Sequence, residues 1–215
     1  MNKNERIALF NDVDIYPVTC EDLSNGRSDI EICTAIIAGG AKIIQLRDKN
    51  SSKKEIYEKA VIFRKLTAAE NVLLIINDHT DIAQAVDADG VHLGQDDLSL
   101  EAARKLIPEK IIGISSHCLD DALLAEKGGA DYVNIGPIYQ TKTKGGLSDF
   151  LGAEKIPDIA NHLSIPFTVM GGIKAGHIAE LKSYGATKLA VVTEITQADD
   201  IPLRVKELID LIRNS

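Results

Sequence analysis

Four times along the chain, a cluster of small residues stands directly ahead of an apolar, strand-like run. The clusters are Gly39-Gly40-Ala41, Ala88-Asp89-Gly90, Gly129-Ala130-Asp131 and Gly185-Ala186-Thr187. A glycine that ends a helix in the left-handed conformation and passes at once into a strand is a helix-to-strand joint. Its recurrence points to one module reused. Strands are predicted at 14–19, 42–46, 73–77, 91–93, 111–115, 132–136, 167–170 and 188–192. Helical spacing fills the intervals, as at 53–70, 100–106, 119–127 and 203–212. In the last of these, Leu203, Val205, Leu208, Ile209 and Ile212 fall largely on one face. Strand followed by helix throughout requires parallel pairing, because each crossover returns the chain to the same edge.

Modules of this kind in 215 residues close most simply into a single (β/α)8 TIM barrel. An open doubly wound sheet is the runner-up, but it calls for a GxGxxG-type turn after the first strand, and none is present. No linker or shift of composition marks a second domain. Residues 1–215 therefore read as one domain, with 1–13 an N-terminal extension forming a short helix over the bottom or edge of the barrel.

Composition narrows the partners. Tryptophan is absent and aromatics make up only 4% of residues, so the core must be aliphatic, as in buried parallel strands. The net charge of −8 supplies no basic field for nucleic acid, so an anionic ligand has to be held by local cations, backbone amides or a metal. Cys20, Cys33 and Cys118 form no CxxC pair and read as reduced cysteines of a cytoplasmic protein. The apolar runs fall far short of the roughly 18 residues of a membrane span. The oligomeric state stays open, a homo-oligomer included.

In such a barrel the chemistry sits at the C-terminal ends of the strands. The second strand ends Gln45-Leu46-Arg47-Asp48-Lys49, and alternation puts Gln45, Arg47 and Lys49 on one side. The bland alternative is a strand end fraying into a charged loop. The third strand runs into Asn77-Asp78 and the fourth into Gly94-Gln95-Asp96-Asp97. Each acid, like Ser99, is explained separately as a helix cap. Together they put carboxylates at two neighbouring strand ends, which is how Mg²⁺ is usually held beside substrate phosphates. No His/Cys cluster has zinc spacing, and His92 reads as a strand residue with a satisfied ring. Ser115 is a hydrogen-bonding residue; without a GxSxG elbow it is no hydrolase nucleophile.

After the sixth strand, Gly136-Pro137-Ile138-Tyr139-Gln140-Thr141-Lys142-Thr143-Lys144-Gly145-Gly146 alternates hydroxyls with lysines, as a loop folding over an anion would. The sharpest signal is Met170-Gly171-Gly172-Ile173 closing strand seven and Val191-Val192-Thr193 closing strand eight. Barrels commonly bind phosphate there through backbone amides. Two separate anion sites imply two phosphorylated ligands or one long one, and hence a transferase joining two ligands or an isomerase of a bisphosphate.

With these motifs in place, in this order and spacing, the chain resembles the thiamine-phosphate synthases over almost its whole length, from Ile15-Tyr16-Pro17-Val18-Thr19 to the eighth strand. The resemblance implies transfer of the 4-amino-2-methylpyrimidin-5-ylmethyl group from its diphosphate to hydroxyethylthiazole phosphate. The products are thiamine phosphate and pyrophosphate, and Mg²⁺ is the cofactor. The partners are then two small phosphorylated heterocycles. It further implies that Gln45, Arg47, Lys49, Asn77, Ser115 and Lys144 hold the pyrimidine diphosphate, with Arg47, Lys49, Ser115 and Lys144 catalytic. Asp78 and Asp97 become the metal ligands, leaving Asp96 a bystander. Thr141, Lys142, Thr143, Gly172, Val192 and Thr193 contact the thiazole phosphate.

Some positions depart from the family pattern. Gln140 replaces a common proline, His79-Thr80 stands where Arg-Val is frequent, and Val192-Thr193-Glu194-Ile195 replaces Val-Ser-Ala-Ile. None removes a diphosphate or metal residue. Two alternatives remain: the related thiazole tautomerase, which has no need of the diphosphate machinery, and a non-catalytic thiamine-precursor binding protein.

Overall fold

Isoleucine, leucine and valine on both faces build eight parallel strands that curl on themselves. The computed structural model describes residues 1–141 and 150–214. Its strands are β1 (Ile15–Pro17), β2 (Ile43–Leu46), β3 (Leu73–Asn77), β4 (Gly90–Leu93), β5 (Ile111–Ser116), β6 (Tyr132–Ile135), β7 (Phe167–Met170) and β8 (Leu189–Val191). They run in the order β1-β8-β7-β6-β5-β4-β3-β2. A parallel bridge between Val18 and Gln45 closes the ring, with Thr19 N–H donating to the Gln45 carbonyl at 2.9 Å. The TIM barrel expected from the joints is therefore the fold. The first predicted strand is shorter than expected: beyond Pro17 the chain keeps the bridge to β2 and one bond to β8, from Val18 N–H to the Val191 carbonyl at 2.9 Å.

The helices are α1 (Lys3–Asn11), α2 (Asp29–Ala38), α3 (Lys53–Ala69), α4 (Thr80–Ala85), α5 (Leu100–Leu106), α6 (Leu119–Lys127), α7 (Ile156–Ala160), α8 (Ile178–Ser183), α9 (Thr193–Thr196) and α10 (Ile201–Asn214). Three begin with capping boxes, Asn2/Glu5, Ser28/Glu31 and Ser52/Glu55, which satisfy backbone donors at each start. No helix among the described residues is long and apolar enough to cross a membrane.

The two faces of the strands serve two cores. Outward residues such as Ile44, Leu74, Val91, Ile112 and Val133 pack under the helices. Inward residues form a smaller core of Tyr16, Val18, Ile43, Leu73, Ile75, Ile111, Tyr132 and Ala190. Phe10 of α1 enters it from the bottom and stacks on Tyr132, with ring centroids 4.5 Å apart. Gly113 on β5 makes room for that ring, since a Cβ there would lie 2.0 Å from the Tyr132 ring.

The charged residue at or just after each joint ties this bottom plug in place. Asp89 takes Arg6 at 3.2 Å and Asp131 takes Lys3 at 2.8 Å. Lys42 meets Asp12 at 3.3 Å, and Lys188 donates to the Asn11 carbonyl at 2.6 Å. The plug fills the N-terminal end of the barrel, so the opposite end is the open one.

Candidate active site

The C-terminal mouth divides into an acid-and-cation side and a glycine side. On the first, β2 runs into Arg47-Asp48-Lys49, and Asp48 fixes this turn. Its carboxylate accepts from Lys59 Nζ at 2.7 Å and from the Asn50 and Ser51 amides at 3.0 Å each. Burial pushes the Asp48 carboxyl up, but Lys59 and the donors of Ser51 and Asn50 outweigh it and hold the group well below the usual range. Lys59 also reaches Glu21 at 2.8 Å and Asp29 at 3.0 Å, so one half-buried ammonium gathers three carboxylates beneath the turn. Arg47 is then free to line the mouth cavity, with its amide fixed by Thr19 Oγ1 at 3.1 Å.

Asp78 follows β3 with φ of +63°, a conformation that Asp tolerates better than most residues. Its side chain caps no helix: α4 is preceded by His79, which gives no side-chain cap. Instead it pairs with Lys49 Nζ and lies within hydrogen-bonding reach of Asp97. Asp97 takes the Gly94 amide at 2.7 Å, and Ser99, not an acid, caps α5. Asp96 is exposed. Burial and the neighbouring Asp97 raise the Asp78 carboxyl against the pull of Lys49. Asp97 is also pushed up by burial, but the Gly94 amide, Asp78, Lys49 and His79 bring it below its ordinary value. Two carboxylates facing each other with one lysine between them fit a hard divalent cation, whose remaining positions water and phosphate oxygens fill. Among the described residues no third His, Cys, Asp or Glu joins them.

The other side of the mouth is a cavity lined by Arg47, Ser115, Asn134, Thr141, Gly172, Val192 and Thr193, among others. Gly172 has φ of +63°, and a Cβ on it would lie 2.5 Å from the Gln140 carbonyl oxygen, so only glycine lets the two backbones approach there. Thr193 opens α9, whose first-turn amides have no partners inside the helix. Lys174 Nζ lies 3.3 Å from Thr193 Oγ1.

The expected residues Gln45, Arg47, Lys49, Asn77, Ser115, Asp78, Asp97, Thr141, Gly172, Val192 and Thr193 all sit at this end of the strands or in the loops that follow them. Lys142, Thr143 and Lys144 lie outside the described residues. Sequence reasoning missed the interior chain beneath the mouth. Gln45 Nε2 donates to Tyr16 Oη at 2.9 Å, and Tyr16 Oη lies 2.9 Å from Tyr132 Oη. Tyr132 Oη is 3.0 Å from His92 Nδ1, and His92 Nε2 is 3.0 Å from Ser115 Oγ. The period-two positions 132 and 134 on β6, both polar, are the signal that would have found part of it; Thr168 donates to Asn134 at 2.7 Å.

Known proteins carry the same arrangement of sequence. Residues 15–195 match the family described as Thiamine monophosphate synthase. A thiamine-phosphate synthase of Shouchella clausii is 47% identical over 188 residues, 87% of this chain and 90% of that protein. One from Dictyoglomus thermophilum is 42% identical over 213 residues, covering 99% of this chain and 96% of its own. The solved structure of a thiamine phosphate pyrophosphorylase from Pyrococcus furiosus superposes with a TM-score of 0.87 at 34% identity, covering 95% of this chain and 98% of that one. With a family match over residues 15–195 and relatives that span nearly all of it, the chain belongs to the thiamine monophosphate synthase family.

Proposed function

We propose that the protein makes thiamine phosphate by joining the 4-amino-2-methylpyrimidin-5-ylmethyl group of a diphosphate to the ring nitrogen of hydroxyethylthiazole phosphate. The carbon–oxygen bond to the diphosphate breaks, its electron pair leaves with pyrophosphate, and the thiazole nitrogen supplies the pair for the new carbon–nitrogen bond. The observation that carries this reading is the paired Asp78 and Asp97 at one side of a mouth whose other side offers Gly172 and the start of α9. Two such regions at one barrel mouth suit two phosphorylated partners.

In this reading Arg47, Lys49, Asn77 and Lys144 hold the departing diphosphate, while Gln45 and Ser115 contact the pyrimidine. Thr141, Lys142, Thr143, Gly172, Val192 and Thr193 seat the thiazole phosphate. Asp78 and Asp97 hold Mg²⁺, which supplies positive charge where negative charge gathers on the leaving group. No covalent nucleophile is called for. Lys59 keeps Asp48, and with it the Arg47–Lys49 turn, in a fixed position, so the cations meet the diphosphate already oriented.

The test is to mix the purified protein with both heterocycles and Mg²⁺ and to measure thiamine phosphate and pyrophosphate. Equimolar products that vanish with chelator are expected. Isomerisation of the thiazole phosphate without coupling would instead mark a tautomerase.

A further inference from the structure

The interior chain has a direction that proton accounting fixes. Tyr16, Tyr132, His92 and Gln45 are all buried, so each polar hydrogen in the chain needs an acceptor. Tyr16 Oη accepts from Gln45 Nε2 and has one proton left to give, and Tyr132 Oη is the partner in reach. Burial raises both phenols, so both keep their protons. Tyr132, having accepted from Tyr16, gives its own proton to His92 Nδ1. The imidazole then carries its hydrogen on Nε2 and donates it to Ser115 Oγ. With Gln45 Nε2 turned toward Tyr16, the reverse direction would leave the Tyr16 hydroxyl proton with no acceptor in a closed interior, a cost comparable with a lost hydrogen bond.

We propose that this one-way chain sets the hydrogen-bonding character of the pocket floor, with His92, Tyr132 and Tyr16 as positioning residues. Ser115, its oxygen already accepting from His92, presents its O–H as a donor. Gln45, its amide nitrogen committed to Tyr16, presents Oε1 as an acceptor. A ring with an amino group beside an unprotonated ring nitrogen offers the complementary pair, a donor for Gln45 and an acceptor for Ser115. A 4-oxo ring with N–H beside it offers the reverse. The inference rests on the reading of Gln45 and Ser115 as pyrimidine contacts, but the direction of the chain does not depend on it. Gly113 belongs to the same device, because its missing Cβ is what lets the Tyr132 ring reach the barrel axis.

Two measurements test it. The first is the ¹⁵N spectrum of the His92 ring at neutral pH in the substrate-free protein, with His92→Asn identifying its resonances. A proton on Nε2 and a bare Nδ1 are expected; a proton on Nδ1 overturns the chain whatever the enzyme does. The second compares 4-amino and 4-oxo pyrimidine diphosphates in the wild type, Tyr132→Phe and Tyr16→Phe. Without the Tyr132 hydroxyl, His92 is free to carry its proton on Nδ1 and Ser115 to turn its own toward Nε2. The preference for the amino substrate should then fall about tenfold, the worth of one hydrogen bond, while KM for the thiazole phosphate stays put. Tyr16→Phe should lower the preference through Gln45. A lower melting temperature with the amino/oxo ratio unchanged would make the chain merely structural and overturn the proposal. If the wild type couples neither diphosphate, the functional reading fails, and the His92 spectrum still decides the direction of the chain.

Discussion

Acids stand at both ends of these strands, and the two ends treat them oppositely. At the bottom, Asp89 is met by Arg6 at 3.2 Å, Arg64 at 2.7 Å and the Leu74 amide at 3.0 Å. Asp131 likewise takes Lys3 at 2.8 Å, Arg104 at 2.5 Å and the Ile112 amide at 2.8 Å. Each of these carboxylates has two cations. At the mouth the ratio inverts, with Asp78 and Asp97 facing each other beside Lys49. Burial and Asp97 raise the Asp78 carboxyl despite Lys49, so this pair costs the folded chain stability, whereas Lys59 beneath the β2 turn reaches each of its three carboxylates within 3.0 Å. The bottom acids are completed by the protein, as Asp48 is at the mouth, whereas Asp78 and Asp97 share the single Lys49.

The sharpest way to break this comparison is to remove one acid from each end. Asp89→Ala leaves the buried Arg6 guanidinium and the Leu74 amide short of their partner, and breaking a buried pair on one side costs about 3–5 kcal/mol. Urea denaturation should show that loss, while kcat per folded molecule is unchanged. Asp78→Asn should do the converse. Asparagine tolerates the left-handed backbone at this position, and the lost Lys49 pair is half-exposed, so unfolding free energy should shift by less than about 1 kcal/mol. Turnover should fall by about 10²–10³, the cost of losing one preorganised group that stabilises charge in the transition state. If Asp78→Asn unfolds the protein as severely as Asp89→Ala, the distinction between the ends collapses.

The fold was legible because its signals are local. A glycine joint, a β-branched run and a helical spacing each lie within a few residues, and Lys53–Ala69 differs from its predicted span by one residue. The acids of the mouth were legible for a related reason: parallel strands bring their ends together whatever the details, so Asp78 and Asp97 had to be neighbours of some kind. The bottom plug was not legible as a network. Asp89 stands inside one of the joints that announced the fold, but its partner Arg6 lies 83 residues away, and nothing in either neighbourhood names the other. His92 and Ser115 show the same limit. Adjacent Ser115 to His117 suggests no working pair, yet a Ser–His contact forms across β4 and β5 because the register sets His92 opposite Gly113, two residues from Ser115 and on the same face.

A third effect, smaller than the first two, tests the electrostatics of the mouth directly. The Asp78 carboxyl is raised on folding, so the proton it binds stabilises the metal-free protein. That contribution is complete below the unfolded value of about 3.9 and is lost as pH rises through the raised value. Asp97 is lowered and acts in the opposite sense, its contribution present above its unfolded value and lost as pH falls through the folded one. The difference between wild type and Asp78→Asn reports the Asp78 part together with the share of the Asp97 shift that Asp78 causes. Mg²⁺ should reverse its sign by preferring the ionised carboxylate, stabilising the wild type by about 2.7 kcal/mol at a hundred times its dissociation constant. Thermal melts across pH, with and without Mg²⁺, should show the metal's effect growing as pH rises and vanishing in Asp78→Asn. A metal effect of equal size in both proteins would place the cation elsewhere.

The smallest expected effect asks what makes the bottom network strong. Lys42 follows a glycine joint and meets Asp12 at the end of the plug, much as Asp89 meets Arg6, but its side chain is 44% exposed and that of Asp12 is 71% exposed. In water the attraction is screened and offset by the entropy of holding two mobile chains, so Lys42→Ala should cost no more than about 1 kcal/mol. Asp89→Ala, by contrast, removes a partner from groups that water cannot reach. Equal losses from the two substitutions, read from the same denaturation curves, would mean that the summed charge around the joints holds α1 in place. The expected inequality means that desolvation does. The joints then share a position in the repeat without sharing its energetic weight, and only those whose charge is buried fix the plug on which Tyr132 rests.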